Sequence, residues 1–205
     1  MTEGVFTTVR IADFCPVWIE DHILRLKNGA EKLNIPFDED HLINSVIKSL
    51  DKNVIPNARM RMILKKEGTS EINFEPFEDK KELFLISFKE IEPQGSLKRW
   101  PFRKHTEINS EEVILIDKSS GDVLEGSYTN IFIKKGDDFF TPPDDGKIVA
   151  GICRKYFIEY LKLKGCNIYE KRFSKVMLKN SEIFLTNALR GVVKAKLREP
   201  VNDRF

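Results

Sequence analysis

The chain has little charge imbalance: its 205 residues carry 34 Lys plus Arg against 32 Asp plus Glu, a formal net charge of +2. No large field of one sign is available to hold nucleic acid or an anionic membrane, so neither is expected as a partner. Cysteine is scarce as well. Cys15, Cys153 and Cys166 are odd in number, widely spaced and without a CxxC pair. They read as reduced thiols of a cytoplasmic protein rather than a disulfide framework. Three histidines, His22, His41 and His105, stand far from one another and from the cysteines, so no metal site is expected. No apolar run approaches the ~20 residues of a membrane span, and Met1-Thr2-Glu3-Gly4 opens on neither a basic nor an apolar leader segment.

What the chain does have is core-forming material: 41% hydrophobic residues, including 15 Phe, against 32% charged. That suits one domain or two small ones and is too apolar for disorder. β-Branched residues at Val5-Phe6-Thr7-Thr8-Val9-Arg10-Ile11 predict a first strand. After Pro16, Ile19, Ile23, Leu26, Ala30 and Leu33 recur at helical steps until Asn34 and Pro36 end the pattern. A second helix is predicted from Glu39 to Leu50, and strands over 58–64 and 83–88. The polar stretch Glu92-Pro93-Gln94-Gly95-Ser96 reads as a link, dividing a lobe of residues 1–94 from a sheet-rich lobe of residues 95–205. In the second lobe, strands are predicted at 113–117, 130–133, 139–141 and 183–186. A helix is predicted after Gly151, with Gly165 at its stop.

Three segments carry chemistry. Glycine before a helix, as in Ile148-Val149-Ala150-Gly151-Ile152-Cys153-Arg154, exposes unpaired backbone N–H groups that suit a phosphate. Upstream, Glu125-Gly126-Ser127-Tyr128-Thr129-Asn130-Ile131-Phe132 sets an acid just before a buried strand. Downstream, Leu185-Thr186-Asn187-Ala188-Leu189-Arg190-Gly191 ends a strand in small polar groups. Singly, each is also what an ordinary turn looks like.

In this order the three segments resemble the fold-type IV family of pyridoxal-phosphate enzymes, which includes branched-chain and D-amino-acid aminotransferases and aminodeoxychorismate lyases. Two further blocks agree: Gly4-Val5-Phe6-Thr7-Thr8-Val9-Arg10 is similar to the family's Gly-x-Phe-Glu-Thr-x-Arg strand, and His22-Ile23-Leu24-Arg25-Leu26 to its His-x-x-Arg-Leu helix. The resemblance implies an α/β (α+β) fold of two lobes, an N-terminally shortened version of the aminotransferase-like fold, usually homodimeric. It implies pyridoxal 5'-phosphate as cofactor, with Glu125 against the pyridine nitrogen. Arg25, Asn130, Gly151, Ile152, Cys153, Thr186 and Asn187 fall at cofactor-binding positions. The covalently bound catalytic lysine matches Lys104 in Arg103-Lys104-His105, with Lys98 as the alternative. The family's Pro and Thr in the phosphate block are here Ala150 and Cys153. An uncompensated loss of that hydroxyl costs roughly 0.5–1.5 kcal/mol.

Within the family, Thr7 in place of the aminotransferases' Glu, the Asn187-Ala188-Leu189-Arg190-Gly191 run and Cys153 lean toward the lyases. The expected activity is conversion of 4-amino-4-deoxychorismate to 4-aminobenzoate and pyruvate. A branched-chain or D-amino-acid aminotransferase is the alternative, and a non-catalytic family relic the second.

Overall fold

The computed structural model describes residues 4–78, 83–93, 95, 99–100 and 111–198. In chain order the elements are β1 (Gly4–Ala12), β2 (Cys15–Pro16), α1 (Ile19–Leu33), α2 (Glu39–Asp51), β3 (Ala58–Lys65), β4 (Ser70–Pro76) and β5 (Leu83–Ile91). There follow β6 (Arg99–Trp100), β7 (Glu112–Asp117), β8 (Val123–Gly126), β9 (Asn130–Lys135) and β10 (Asp138–Thr141). The last are α3 (Ile152–Leu163), β11 (Asn167–Glu170), a 3-10 turn at Lys175–Asn180, β12 (Glu182–Asn187) and β13 (Gly191–Leu197). Two compact units result, Met1–Lys80 with Leu97–Arg103, and Lys81–Ser96 with Lys104–Phe205.

In the first unit the sheet runs β2-β1-β3-β4, with β6 also on β1. Alternation along β3 turns Ala58, Met60, Met62 and Leu64 into the core and Arg59 and Arg61 the other way. On the core face, Val5, Val9 and Ile11 of β1 meet Leu26 and Ala30 of α1 and Leu42 and Val46 of α2. Helix α1 lies so close to β1 that a Cβ on Gly29 would come within 3.2 Å of the Val5 side chain. It ends as its sequence predicts, on left-handed Asn34, whose N–H bonds back to Ala30 and Glu31. Helix α2 starts at Asp38, whose carboxylate accepts the His41 N–H at 2.9 Å.

The second unit is built on one eight-stranded mixed sheet, β11-β10-β9-β12-β13-β5-β7-β8. Strand β9 feeds both faces of it. Ile131 and Ile133 join Leu185, Ile183 and Phe173 on one side, while Phe132 packs on the other among Phe157, Ile158 and Leu161. Phe132 meets Phe157 edge to face, with centroids 4.9 Å apart, an arrangement that adds about 0.5–1.5 kcal/mol to the buried area. Helix α3 is thereby held on the Phe132 face, and its first turn lies over the ends of the central strands.

Two features differ from the sequence-based expectation. Strand β5 precedes the expected boundary at residue 94, yet it pairs parallel with β13 and β7 inside the second sheet. The chain thus passes into the second unit near residue 81 and returns briefly to the first at β6. Strands β4, β11 and β13 also lie where no strand was predicted. Each alternates with Lys, Glu or Asn and buries little, so its sequence looks like loop; backbone pairing to a neighbour makes it a strand.

Candidate active site

The block Glu125 to Asn130 closes the β8–β9 hairpin, in which the Gly126 N–H donates to the Thr129 carbonyl at 2.8 Å. The hairpin brings the block's two ends together. The Asn130 amide donates to the Glu125 carboxylate at 3.2 Å and to the Val149 carbonyl at 2.8 Å. The Val149 N–H reaches both Glu125 oxygens at 3.1 Å. A strand-end acid is thus tied to the loop that leads into α3.

Val149 is set in turn by the packing and ion pairs of its own loop. Ile148 is buried among Val113, Leu115 and Leu124. Lys147 pairs with the buried Asp117 carboxylate at 2.8 Å, and Arg172 pairs with Asp145. Hydrogen bonds from Lys147 and then Ser119 hold the Asp117 carboxyl well below the usual carboxylate range.

Helix α3 opens at Gly151 with no side-chain cap and no acidic residue in its first turn. Its first N–H groups lack intrahelical partners, and they stand at the positive end of the helix dipole. Gly151 touches the Glu125 cluster, since a Cβ there would overlap the Asn130 side-chain oxygen. Ile152 and Cys153 are buried. Opposite them is the end of β12, where Thr186 faces Asn130 across the β9–β12 ladder and the Asn187 N–H donates to the Cys153 sulfur. Thr186 is 1% exposed and, among the described residues, its hydroxyl has no hydrogen-bond partner. Asn187 is engaged differently: its side-chain oxygen accepts the N–H groups of Leu189 and Arg190, at 3.0 and 2.8 Å, and shapes the turn into β13.

Glu125, Asn130, Gly151, Ile152, Cys153, Thr186 and Asn187 therefore form one cluster in the second unit. Arg25 is on α1 of the first unit, half-buried. On the same helix His22 is fully buried, with its Nδ1 2.6 Å from the Thr7 hydroxyl. Lys104 and its alternative Lys98 lie outside the described residues. Among the described residues no three His, Cys, Asp or Glu side chains gather as a metal site, and no helix is long and apolar enough to cross a membrane.

Sequence reading missed Glu112, a carboxylate 1% exposed that sits under the hairpin. It accepts from the Ser127 N–H at 2.9 Å and hydroxyl at 2.6 Å, the Thr129 hydroxyl at 2.8 Å and the Val113 N–H at 2.9 Å. Burial pushes its carboxyl above the usual range, and the bonds from Ser127 and Thr129 pull it back. The available signal was an acid heading the otherwise apolar strand 112–116. Beside it, the Tyr128 hydroxyl donates to the Glu111 carbonyl; burial and then the Glu112 charge push that phenol up to about 12.

Burial also pushes the Cys153 thiol up to about 11. The thiolate is the reactive form, so native protein treated with iodoacetamide near pH ~8 is expected to be labelled at exposed Cys15 and spared at Cys153. Peptide mass spectrometry reads this directly. Labelling of Cys153 at a rate equal to Cys15 would mean that α3 opens away from β12.

Comparison with known proteins gives these features a family. The sequence model of the class IV amino-transferases matches residues 4–197. The aminodeoxychorismate lyase of Bacillus subtilis (strain 168) is 26% identical over 236 aligned positions, which cover 97% of this chain and 78% of that protein. Among solved structures, the branched-chain amino acid aminotransferase of Escherichia coli superposes with a TM-score of 0.82 at 21% identity, over 95% of this chain and 77% of that one. The 4-amino-4-deoxychorismate lyase of Pseudomonas aeruginosa gives 0.79 at 18%, over 95% and 83%. The fold matches both activities alike. With five sequence blocks in order and a family match across nearly its whole length, the chain belongs to the class IV amino-transferases, a family of enzymes dependent on pyridoxal phosphate.

Proposed function

We propose that this enzyme is a lyase that converts 4-amino-4-deoxychorismate to 4-aminobenzoate and pyruvate. The observation that carries the reading is the similarity to the Bacillus subtilis lyase along 97% of the chain. The run Asn187-Ala188-Leu189-Arg190-Gly191, which resembles the lyases, supports it.

The donor set fits the cofactor. Thr186 offers a buried hydroxyl without a partner among the described residues, and α3 offers N–H groups behind a glycine whose neighbour leaves no room for a Cβ. A phosphate suits both, being dianionic and rich in acceptors. Glu125, tied to Val149 and Asn130, is an oriented carboxylate suited to a protonated pyridine nitrogen. When bound, pyridoxal phosphate supplies an electron sink for a substrate carbanion.

The chain's own groups then divide the work. Thr186, Ile152 and Cys153 hold the phosphate, the last two through backbone N–H groups. Glu125 keeps the ring nitrogen charged, and Asn130 keeps Glu125 in place. Lys104 bonds the cofactor and, as a free amine, takes the proton from the substrate carbon bearing the amino group. Loss of that proton and cleavage of the bond between the neighbouring ring carbon and the enolpyruvyl oxygen leave an aromatic ring, and the departing enolpyruvate takes up a proton to become pyruvate.

Steady-state assay tests the reading. Release of 4-aminobenzoate and pyruvate in equal amounts, without any keto-acid acceptor, is the expected result. Turnover that strictly requires 2-oxoglutarate would overturn it in favour of a branched-chain or D-amino-acid aminotransferase, the first of which has a solved structure of this fold.

A further inference from the structure

Within the block that carries Glu125, the turn has one backbone hydrogen bond of its own, from the Gly126 N–H to the Thr129 carbonyl. The block's middle residues, Gly126 to Thr129, form this short turn, and isolated turns of this length sample many conformations. Beneath that turn lies one carboxylate that the chemistry of the reaction does not use. Glu112 begins β7, is buried, and directs both oxygens upward into the turn: Oε1 takes the Ser127 N–H and hydroxyl, and Oε2 takes the Thr129 hydroxyl. Gly126 is shaped to this post, because a Cβ there would stand 2.8 Å from the Glu112 carboxyl carbon and from Oε2. Its neighbour Glu111 accepts the Tyr128 hydroxyl through its carbonyl, so Ser127, Tyr128 and Thr129 are all fixed from the same strand end.

The Ser127 N–H also reaches the Val113 carbonyl at 2.9 Å, so the turn is held from the start of β7. The two ends of the turn are the side chains that matter, Glu125 and Asn130, which meet each other across the closed turn and share Val149 as a partner. We propose that Glu112 is a positioning residue: gathering Ser127 and Thr129 around one buried carboxylate, it holds Glu125 and Asn130 in the geometry that faces the cofactor ring. The proposal rests on the cofactor reading above. It adds a requirement, that the pose of the ring-facing acid is set by a second acid beneath the hairpin.

The test compares the full-length parent with Glu112→Ala and Glu112→Gln. Pyridoxal phosphate is titrated by absorbance, the pH at which the bound cofactor's absorbance changes is followed, and amide hydrogen exchange is measured on cofactor-free protein. For Glu112→Ala, cofactor dissociation is expected to rise about tenfold or more, as the loss of one or two buried hydrogen bonds implies. The pH of the spectral change should shift, and exchange at residues 126–130 should speed up while β1 and β3 stay as in the parent. Glu112→Gln should restore most of the affinity, since its carbonyl oxygen still accepts from Ser127 and its amide can donate to the Thr129 oxygen. Parent affinity and parent spectrum in Glu112→Ala would overturn the proposal, as would faster exchange with unchanged cofactor binding. A parent protein that takes up no cofactor would bring down the preceding reading first, and this one with it.

Discussion

Replacing Lys104 by alanine is expected to leave a protein to which borohydride attaches no pyridoxal phosphate and whose turnover falls by about 10³-fold or more. A positioned general base alone contributes about 10²–10⁴-fold, and Lys104 is assigned a second task, the covalent hold on the cofactor. The assignment rests on its place in the chain. Lys104 follows Trp100-Pro101-Phe102 and precedes the link to the strand that opens at Glu112, a link shorter than the family's. Lys98 is the competitor. Borohydride reduction followed by peptide mass spectrometry names the labelled lysine in one experiment, and single alanine variants check it. A label that survives Lys104→Ala and disappears in Lys98→Ala moves the role to Lys98.

The second large effect belongs to Gly151→Ala. The backbone of Gly151 has φ −69° and ψ 139°, an extended conformation that any residue adopts, so no strain argues for glycine here. Space does. A Cβ would overlap the Asn130 oxygen, and Asn130 would have to leave the position from which it donates to the Val149 carbonyl and to Glu125. Buried groups that lose such bonds cost about 1–3 kcal/mol, which corresponds to about five- to hundredfold weaker cofactor binding. The damage is local, because α3 is anchored elsewhere: Ile158 and Leu161 pack on Phe132, and buried Arg154 bonds the Pro142 carbonyl and Glu170 at 2.8 Å each. The variant should therefore still fold and unfold cooperatively, with its thermal transition lowered by no more than that cost, while its cofactor titration moves. Unchanged titration would remove Asn130 and Gly151 from the cofactor cradle.

These two predictions draw on different sources. Lys104 comes from local sequence and family likeness. Gly151→Ala comes from a contact between residues 130 and 151 that no periodicity reveals. The same contrast runs through the fold. The helices α1 and α2 and the strands β1, β3, β5, β7 and β9 were legible because apolar residues recur along them, and Asn34 and Pro36 mark the end of α1. Strands β4, β11 and β13 were not legible: Ser70-Glu71-Ile72-Asn73-Phe74-Glu75 has little to bury and becomes a strand by pairing with β3. Position 94 reads as a link by composition, yet β5 before it belongs to the second sheet, because parallel pairing with β13 and β7 outweighs chain proximity.

By itself the sequence determined which residue types are present and in what order: an acid before a strand, glycine before a helix, and small polar groups at a late strand's end. Their identity is local, and so is the tendency of each segment to form its element. Tertiary structure alone decided that these segments meet. The register of β9 on β12 sets Thr186 opposite Asn130, and the ion pairs at Asp117 and Asp145 bring Val149 onto Glu125. It alone decided that Glu112, an ordinary acid in the linear chain, stands as the buried post beneath the hairpin. Hydrogen-bond partners separated by tens of residues are chosen by sheet order and burial, and neither is written in any short stretch of sequence.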